Sequence, residues 1–464
     1  MLNDALTSKR IHMIGIGGVS MSGLAAVLAE RGGRVSGSDI RKSPVTDRLE
    51  DRGVRVFEGH DAANVGGAEV VVATAAIPPD NPELVAAREK GLPVIGRAEL
   101  LGMLMEGTRG IAVAGTHGKT TTTSMVADVL IAGGMDPTVL VGGDFDRLGG
   151  NARVGESDVF LTEACEAFSS FLQLRPTIAV VTNIEADHLE FYGSLDGVMA
   201  AFRQFLSQVE PAGCAVLCVD DPCVRELLPS VGGRAVTYGL SPEAFLRADD
   251  ADWNSPRPSC AVVCAGMNVG RLALNTPGRH NIQNALAALA VGRELGLPFD
   301  TMLAALAEFR GAERRFEVLG EAAGITVVDD YAHHPTEVRA TMEAARTFGR
   351  RVVAVFQPHQ YTRTQAFVGE FAESLSLADS VVLTEIYLAR EKPIPGVSSS
   401  LIADSIRRRH PGREVSFVPD KADVAESLLP NLREGDLVIV MGAGDIRPVG
   451  EELVVRLAER EAAP

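Results

Sequence analysis

Apolar residues in this chain gather into short unbroken runs, with no long strict alternation. "RIHMIG" from Arg10, "AEVVVAT" from Ala68, "RGIAVAG" from Arg109, "DVFLTE" from Asp158, "TIAVVTN" from Thr177 and "GCAVLCVD" from Gly213 are of this kind. So are "GITVVDD" from Gly324, "RVVAVFQP" from Arg351, "DSVVLTEIY" from Asp379 and "DLVIVMGAG" from Asp436. Runs of this length, closed by Gly, Pro, Asn or Asp, predict strands buried on both faces. Helical spacing separates them: an amphipathic helix is expected from the glycines at 15–18 to about Arg31, and another in "NIQNALAALAVGREL" from Asn281. Strands alternating with helices predict α/β layers built on parallel sheets. The pattern restarts at "RGIAVAG" and again at "GITVVDD", so three serial α/β domains are expected, spanning 1–107, 108–316 and 317–464. A chain of 464 residues has room for about three cores.

Composition narrows the function. A net charge of −17 excludes a general nucleic-acid binder, which would present a basic face. Anionic ligands must therefore be met locally, by backbone amides, a few cations and metal ions. No run approaches the ~18 apolar residues of a membrane span, and "MLNDALTSKR" lacks the apolar core of a signal peptide. With only six cysteines, the expected compartment is the reducing cytoplasm. Cys214, Cys218, Cys223, Cys260 and Cys264 lack paired C-x-x-C spacing and read as buried thiols, not a metal cluster. Lysine is scarce, and Lys119 is the only one between Lys90 and Lys392.

That lysine sits in Gly115-Thr116-His117-Gly118-Lys119-Thr120, where two residues separate the glycines instead of the four of the common phosphate loop. A buried strand runs into it and a threonine-rich helix start, continuing through Thr121, runs out. In that setting, backbone amides and the helix dipole surround phosphate oxygens. Lys119 is expected to meet the outer phosphates, and the Thr120 hydroxyl to ligate Mg²⁺. A second glycine turn, Gly15-Ile16-Gly17-Gly18-Val19-Ser20, follows the first strand, and Asp39 closes the second strand, where it can reach a ribose or base. The turn alone fits a dinucleotide site, another nucleotide-containing ligand or only a tight turn. Glu163 and His188 fall at the predicted carboxyl ends of strands, where open α/β sheets collect ligands. Glutamate suits Mg²⁺, and histidine is a less usual ligand for so hard an ion. The run Asp329-Asp330-Tyr331-Ala332-His333-His334-Pro335 is dense in titratable groups and reads as a further site.

Taken together, "GIGGVSMSGLA", "GTHGKTTTT", "EADHLEFYG", "GRHNIQNALAA", "DDYAHHPTEV", "FQPHQYTRT", "EIYLAREKPIPG" and "GAGDI", in this order from about residue 10 to residue 446, resemble the peptidoglycan-precursor ligases of the Mur ligase family. The short glycine loop is shared by the amino-acid-adding members. "DDYAHHPTE" and "YTRT…EIY…PIPG" point to the alanine-adding branch. The resemblance implies a Rossmann-like first domain for UDP-N-acetylmuramate, a central P-loop-type ATPase domain, and a Rossmann-like last domain for L-alanine. It implies that Gly15, Gly17 and Gly18 hold the UDP diphosphate, with Ser38 and Asp39 near the uridine. Gly115 to Thr121 would hold the ATP phosphates, and Thr120, Glu163 and His188 the Mg²⁺. His280, Asn281 and Asn284 would address the adenine, and Arg315, Asp330 and Tyr331 would complete that site. His333 and Arg363 would lie near the reacting carboxylate and the incoming alanine. Lys119, Glu163, His188 and His333 are thus the expected catalytic set. Ser20 replaces a commoner glycine, and Gln360 stands where many members carry arginine. Sister ligases use a carbamylated lysine for a second Mg²⁺, but residues 120–391 contain no lysine, so no carbamate is expected. A peptide-recycling sister ligase and a non-catalytic nucleotide-binding regulator are the competing readings. The oligomeric state is not encoded in these motifs.

Overall fold

The computed structural model describes residues 6–389 and 391–462, which form two compact units. The first comprises residues up to 249 with 261–272 and 283–307; the second comprises 250–260, 273–282 and 308 onward. Within the first, a five-stranded sheet runs in the order Arg55–Glu58, Arg34–Asp39, Arg10–Ile14, Val70–Ala73, Val94–Gly96, all parallel. The chain crosses from one flank of Arg10–Ile14 to the other. The turn at Gly15–Gly18 therefore opens at a topological switch point, beyond a carboxyl strand end.

A ten-stranded sheet follows, and its centre is parallel: Arg234–Gly239, Cys214–Cys218, Ile178–Val181, Arg109–Ala114, Val159–Glu163, Thr138–Phe145. Here too the order reverses at one strand, Arg109–Ala114, which pairs Val181 with Ala114 on one side and Glu163 with Val113 on the other. Three loops thus leave neighbouring strands at the same end of the sheet. At its edges, strands Gly150–Arg153, Leu246–Asp252 and Met267–Ala273 lengthen the sheet beyond the buried runs, and the apolar run "CAVVC" forms strand Ser259–Cys264. The first three are polar or mixed in sequence, with no run of the buried type.

The helix expected to be amphipathic, Val19–Glu30, is buried on nearly every side from Met21 to Leu28. Its outer face packs on strands Thr138–Phe145 and Gly150–Arg153. A Cβ on Gly23 would come within 2.9 Å of Leu140, and Asn151 donates to the Val19 carbonyl and to Ser22 Oγ. A helix covered on both faces needs small apolar residues all round, and "GLAAVLA" supplies them.

In the second unit a six-stranded sheet runs Glu317–Ala322, Ile325–Asp330, Leu437–Met441, Val352–Phe356, Ser380–Leu383, Glu414–Phe417. It is parallel except for the antiparallel first pair. The six cysteines are thiols outside any disulfide; Cys214, Cys218, Cys260 and Cys264 are buried, whereas Cys165 and Cys223 are only half-buried. No helix among the described residues is long and apolar enough to cross a membrane.

A buried carboxylate ties the five-stranded sheet together. Glu83, with no exposed surface, accepts from Ser38 Oγ at 2.5 Å and Asn64 Nδ2 at 2.6 Å, with His60 Nδ1 at 3.2 Å and His12 Nε2 at 3.7 Å. Burial pushes its pKa up, but the neighbouring His12 ring and the donors Ser38 and Asn64 outweigh this and hold it at about 2. A carboxyl more acidic folded than unfolded stabilises the fold above its unfolded pKa and loses that contribution as pH falls toward 2. Glu83→Ala orphans these buried donors and should cost about 2–4 kcal/mol in urea melts at pH 7. The gap to wild type should narrow below pH 4. An equal gap at pH 7 and pH 3 would show that Glu83 acts by packing alone.

Candidate active site

The central loop is built by close backbone approach. Gly115 has φ +137°, and a Cβ there would lie 2.0 Å from Thr182 Oγ1. Gly118 has φ +82° and caps helix Lys119–Ala132, and its missing Cβ would lie 2.9 Å from Asn284 Oδ1. Both positions demand glycine on grounds of conformation and of space. The segment Thr182–Glu185 clamps the two residues between them. Thr116 N donates to Asn183 O at 2.9 Å, His117 N to Asn183 Oδ1 at 2.8 Å, and Glu185 N to Thr116 Oγ1 at 2.8 Å. Thr182 Oγ1 and Asn183 Nδ2 both donate to the His117 carbonyl, at 2.6 and 3.1 Å. Thr116 and His117 thus spend their amides on the protein. The first-turn amides of Lys119, Thr120 and Thr121 have no helical carbonyl to reach, and with the helix dipole they form the anion-binding end.

Lys119 folds over this loop. Its Nζ donates to Gly115 O at 2.5 Å, Thr116 O at 3.0 Å and Glu166 Oε1 at 3.0 Å. Burial alone would lower its pKa, but Glu166, with Cys165 and Glu163, raises it, so the ammonium stays charged. Thr120 is buried beside it. Glu163 ends its strand accepting from Gly142 N at 2.6 Å. His188 sits in the left-handed region at φ +54°, ψ +34°, and its amide donates to Asp187 at 2.9 Å. A non-glycine residue held there stores strain of the kind that gathers at functional sites. Lys119, Thr120, Glu163 and His188 thus follow three adjacent strands of one unit. The hydroxyl and carboxylate oxygens suit a hard cation, and Mg²⁺ fits Thr120 and Glu163 by donor type.

In the same unit the N-terminal turn is closed by Asp39. The Gly17 amide donates to Asp39 Oδ2 at 2.8 Å, and a Cβ on Gly17 would lie 2.9 Å from that oxygen. Gly15 N and Ile16 N both donate to Ser38 O, at 2.8 and 3.0 Å, and Gly18 N to Gly15 O at 3.2 Å. The Ser38 hydroxyl is given to Glu83. Asn284 accepts from Thr122 Oγ1 at 3.1 Å and lies against Gly118, at the start of helix Lys119–Ala132.

The remaining expected residues lie in the second unit. Asn281 donates to Pro277 O at 2.7 Å. Burial, with Arg315 nearby, lowers the His280 pKa to about 4, so this ring is neutral at pH 7. Arg315 lies over the Tyr331 ring at 5.0 Å. Burial raises Asp330 to about 6 against the opposing pull of Arg315, and its oxygens accept from Ala332 N and Phe316 N at 2.8 and 3.0 Å. His333 Nδ1 lies 3.0 Å from Tyr331 O and 3.1 Å from Glu337 Oε2. Its ring meets His359 at 5.7 Å, and Arg363 Nη1 lies 3.3 Å from His359 Nδ1. Gln360 adopts φ +74°, and Glu391 caps the helix behind it by accepting from Tyr361 N at 2.6 Å. Sequence reasoning missed Glu83, Glu166, Asn183, Glu337, His359 and Glu391. Several of them stand inside the motifs already quoted, and "EACE" repeats a glutamate three residues on.

Gly115→Ala should destabilise the protein by about 2–4 kcal/mol, combining overpacking with left-handed strain. It should also abolish nucleotide binding. Gly134→Ala, at φ +79° with nothing within 4 Å, should cost only about 1 kcal/mol and leave binding intact. Urea melts with a fluorescent ATP analogue measure both. Normal binding by Gly115→Ala would remove this loop from the nucleotide site.

Comparison with known proteins agrees across the chain. Residues 10–109 match the model "Mur ligase family, catalytic domain", 113–292 match "Mur ligase middle domain", and 314–444 match "Mur ligase, glutamate ligase domain". The chain is 48% identical to UDP-N-acetylmuramate–L-alanine ligase of Geotalea daltonii, over 97% of this chain and 98% of that one. The crystal structure of UDP-N-acetylmuramate–alanine ligase from Thermotoga maritima superposes with a TM-score of 0.83 at 33% identity, covering 97% of this chain and all of that one. A murein peptide ligase from Psychrobacter arcticus is more distant, with a TM-score of 0.71 and 25% identity over 97% and 99% of the two chains. Matched by its three domain models and by relatives similar over nearly the full length, with its short glycine loop and switch-point glycine turn, this chain belongs to the Mur ligase family.

Proposed function

We propose that this chain is an ATP-dependent ligase that joins L-alanine to the lactyl carboxylate of UDP-N-acetylmuramate in peptidoglycan precursor synthesis, acting in the cytoplasm. The observation that carries this reading is the phosphate loop itself. Its Lys119, with Thr120, Glu163 and His188 after neighbouring strands, is set in a chain similar throughout to alanine ligases.

A carboxylate resists attack by an amine because its carbon is electron-rich and its oxygen a poor leaving group. Transfer of the ATP γ-phosphoryl group to that carboxylate gives an acyl phosphate, which repairs both faults. The first-turn amides of helix Lys119–Ala132 hold the phosphates, and Lys119 offsets charge on the group in transfer. Thr120, Glu163 and His188 would hold Mg²⁺, which supplies further charge neutralisation when bound. The neutral amine of alanine then attacks the activated carbonyl, and phosphate departs from the tetrahedral intermediate to leave the amide. His333 is the candidate proton acceptor. Tyr331 O and Glu337 engage its Nδ1, so Nε2 carries the basic lone pair. Gly15, Gly17 and Gly18, with Asp39 holding the turn, would receive the diphosphate of the UDP-sugar.

Incubation with ATP, Mg²⁺, UDP-N-acetylmuramate and a panel of acceptors tests the reading. Alanine should be the preferred single amino acid, and ADP should form only when the UDP-sugar is present. A preference for a tripeptide over alanine would move the chain to the peptide-recycling activity. AMP and pyrophosphate as products would overturn the acyl-phosphate route.

A further inference from the structure

Lys119 has a counter-ion within the protein. Glu166 presents both carboxylate oxygens to its Nζ, at 3.0 and 2.9 Å, and the two side chains keep only 17% and 4% of their surface exposed. The backbone that carries Glu166 is pinned. Its carbonyl accepts from the Tyr192 hydroxyl and from Ser169 N at 2.9 Å. Phe168 and Ser169 then turn the chain through left-handed conformations at φ +55° and +53°, and Phe171 N returns to Cys165 O at 3.0 Å. Lys119 has a flexible stem, whereas Glu166 stands on a pinned turn. Phosphates bound at the loop must therefore share this ammonium with Glu166 or draw it away.

We propose that Glu166 is a positioning residue that competes with the phosphates of ATP for Lys119, so that the ion pair and nucleotide binding oppose each other. This rests on the reading of Gly115–Thr121 as the ATP site. A buried ammonium stripped of its carboxylate is costly. In Glu166→Gln, bound phosphate becomes the chief anionic partner of Lys119. Linkage then requires two opposite changes: the protein alone loses stability, and ATP binds more tightly. A residue that merely supports the fold would lower stability with and without ATP alike.

The test is titration of ATP with Mg²⁺, in the absence of UDP-sugar, into wild type, Glu166→Gln, Glu166→Asp, Lys119→Met and the Lys119→Met/Glu166→Gln double variant, with thermal melts of each. Glu166→Gln should lower the Kd for ATP by about 5-fold or more, as for typical coupling between sites. It should melt lower than wild type without ATP and gain more from saturating ATP. Glu166→Asp, with its charge kept and its reach shortened, should fall between the two and reports on the pair should the glutamine variant not fold. In the Lys119→Met background, Glu166→Gln should no longer tighten binding, because the competitor has lost its target. Unchanged or weaker ATP binding in folded Glu166→Gln or Glu166→Asp would overturn the proposal, as would equal tightening in the Lys119→Met background. If Lys119→Met itself binds ATP like wild type, the ATP-loop reading fails. If it weakens binding while the Glu166 variants tighten nothing, only the competition fails.

Discussion

The site depends on one close contact: the backbone of Gly115 lies where no side chain fits, against Thr182 on the neighbouring strand's exit. This draws the turn after Arg109–Ala114 onto the segment Thr182–Glu185, whose side chains and backbone occupy the amides of Thr116 and His117. The helix begins at Gly118 with its first-turn amides directed outward. Two residues between the glycines suffice because Asn183, from another strand's loop, closes the turn. The loop is therefore a complete structure whose missing length is provided by another segment of the same chain.

Charge is managed just as locally. A chain of net charge −17 has no general attraction for triphosphates or UDP-sugars. Positive charge is instead placed locally, as at Lys119 on its helix start and at Arg315 beside the Tyr331 ring. Acidic groups are correspondingly given fixed duties. Glu83 organises the five-stranded sheet, Asp39 closes the first glycine turn, and Glu166 holds the loop lysine. Strand ends in parallel sheets concentrate these demands because several loops leave at one edge within reach of a single ligand.

Much of this was legible in the residues because it follows from local rules. The buried strands announced themselves as unbroken apolar runs, and Gly115, Gly118 and Lys119 as a strand–turn–helix junction. What escaped depends on tertiary partners. The edge strands Leu246–Asp252 and Met267–Ala273 carry no buried-run pattern, and the wet face expected of helix Val19–Glu30 is covered by strands more than a hundred residues away. Asn183 and Glu166 resemble ordinary loop residues until their contacts with His117 and Lys119 are seen. Ser38 shows the converse: its place at a strand end was readable, but the commitment of its hydroxyl to Glu83 was not.

In the proposed reaction a carboxylate of the UDP-sugar is activated by phosphoryl transfer at the loop of Lys119. The most direct measurement labels both lactyl carboxylate oxygens of UDP-N-acetylmuramate with ¹⁸O and follows the phosphate formed with alanine by mass spectrometry. Attack on the γ-phosphorus followed by amide formation must carry one labelled oxygen from each turnover into inorganic phosphate. Phosphate free of label, or label recovered in AMP, would contradict this route.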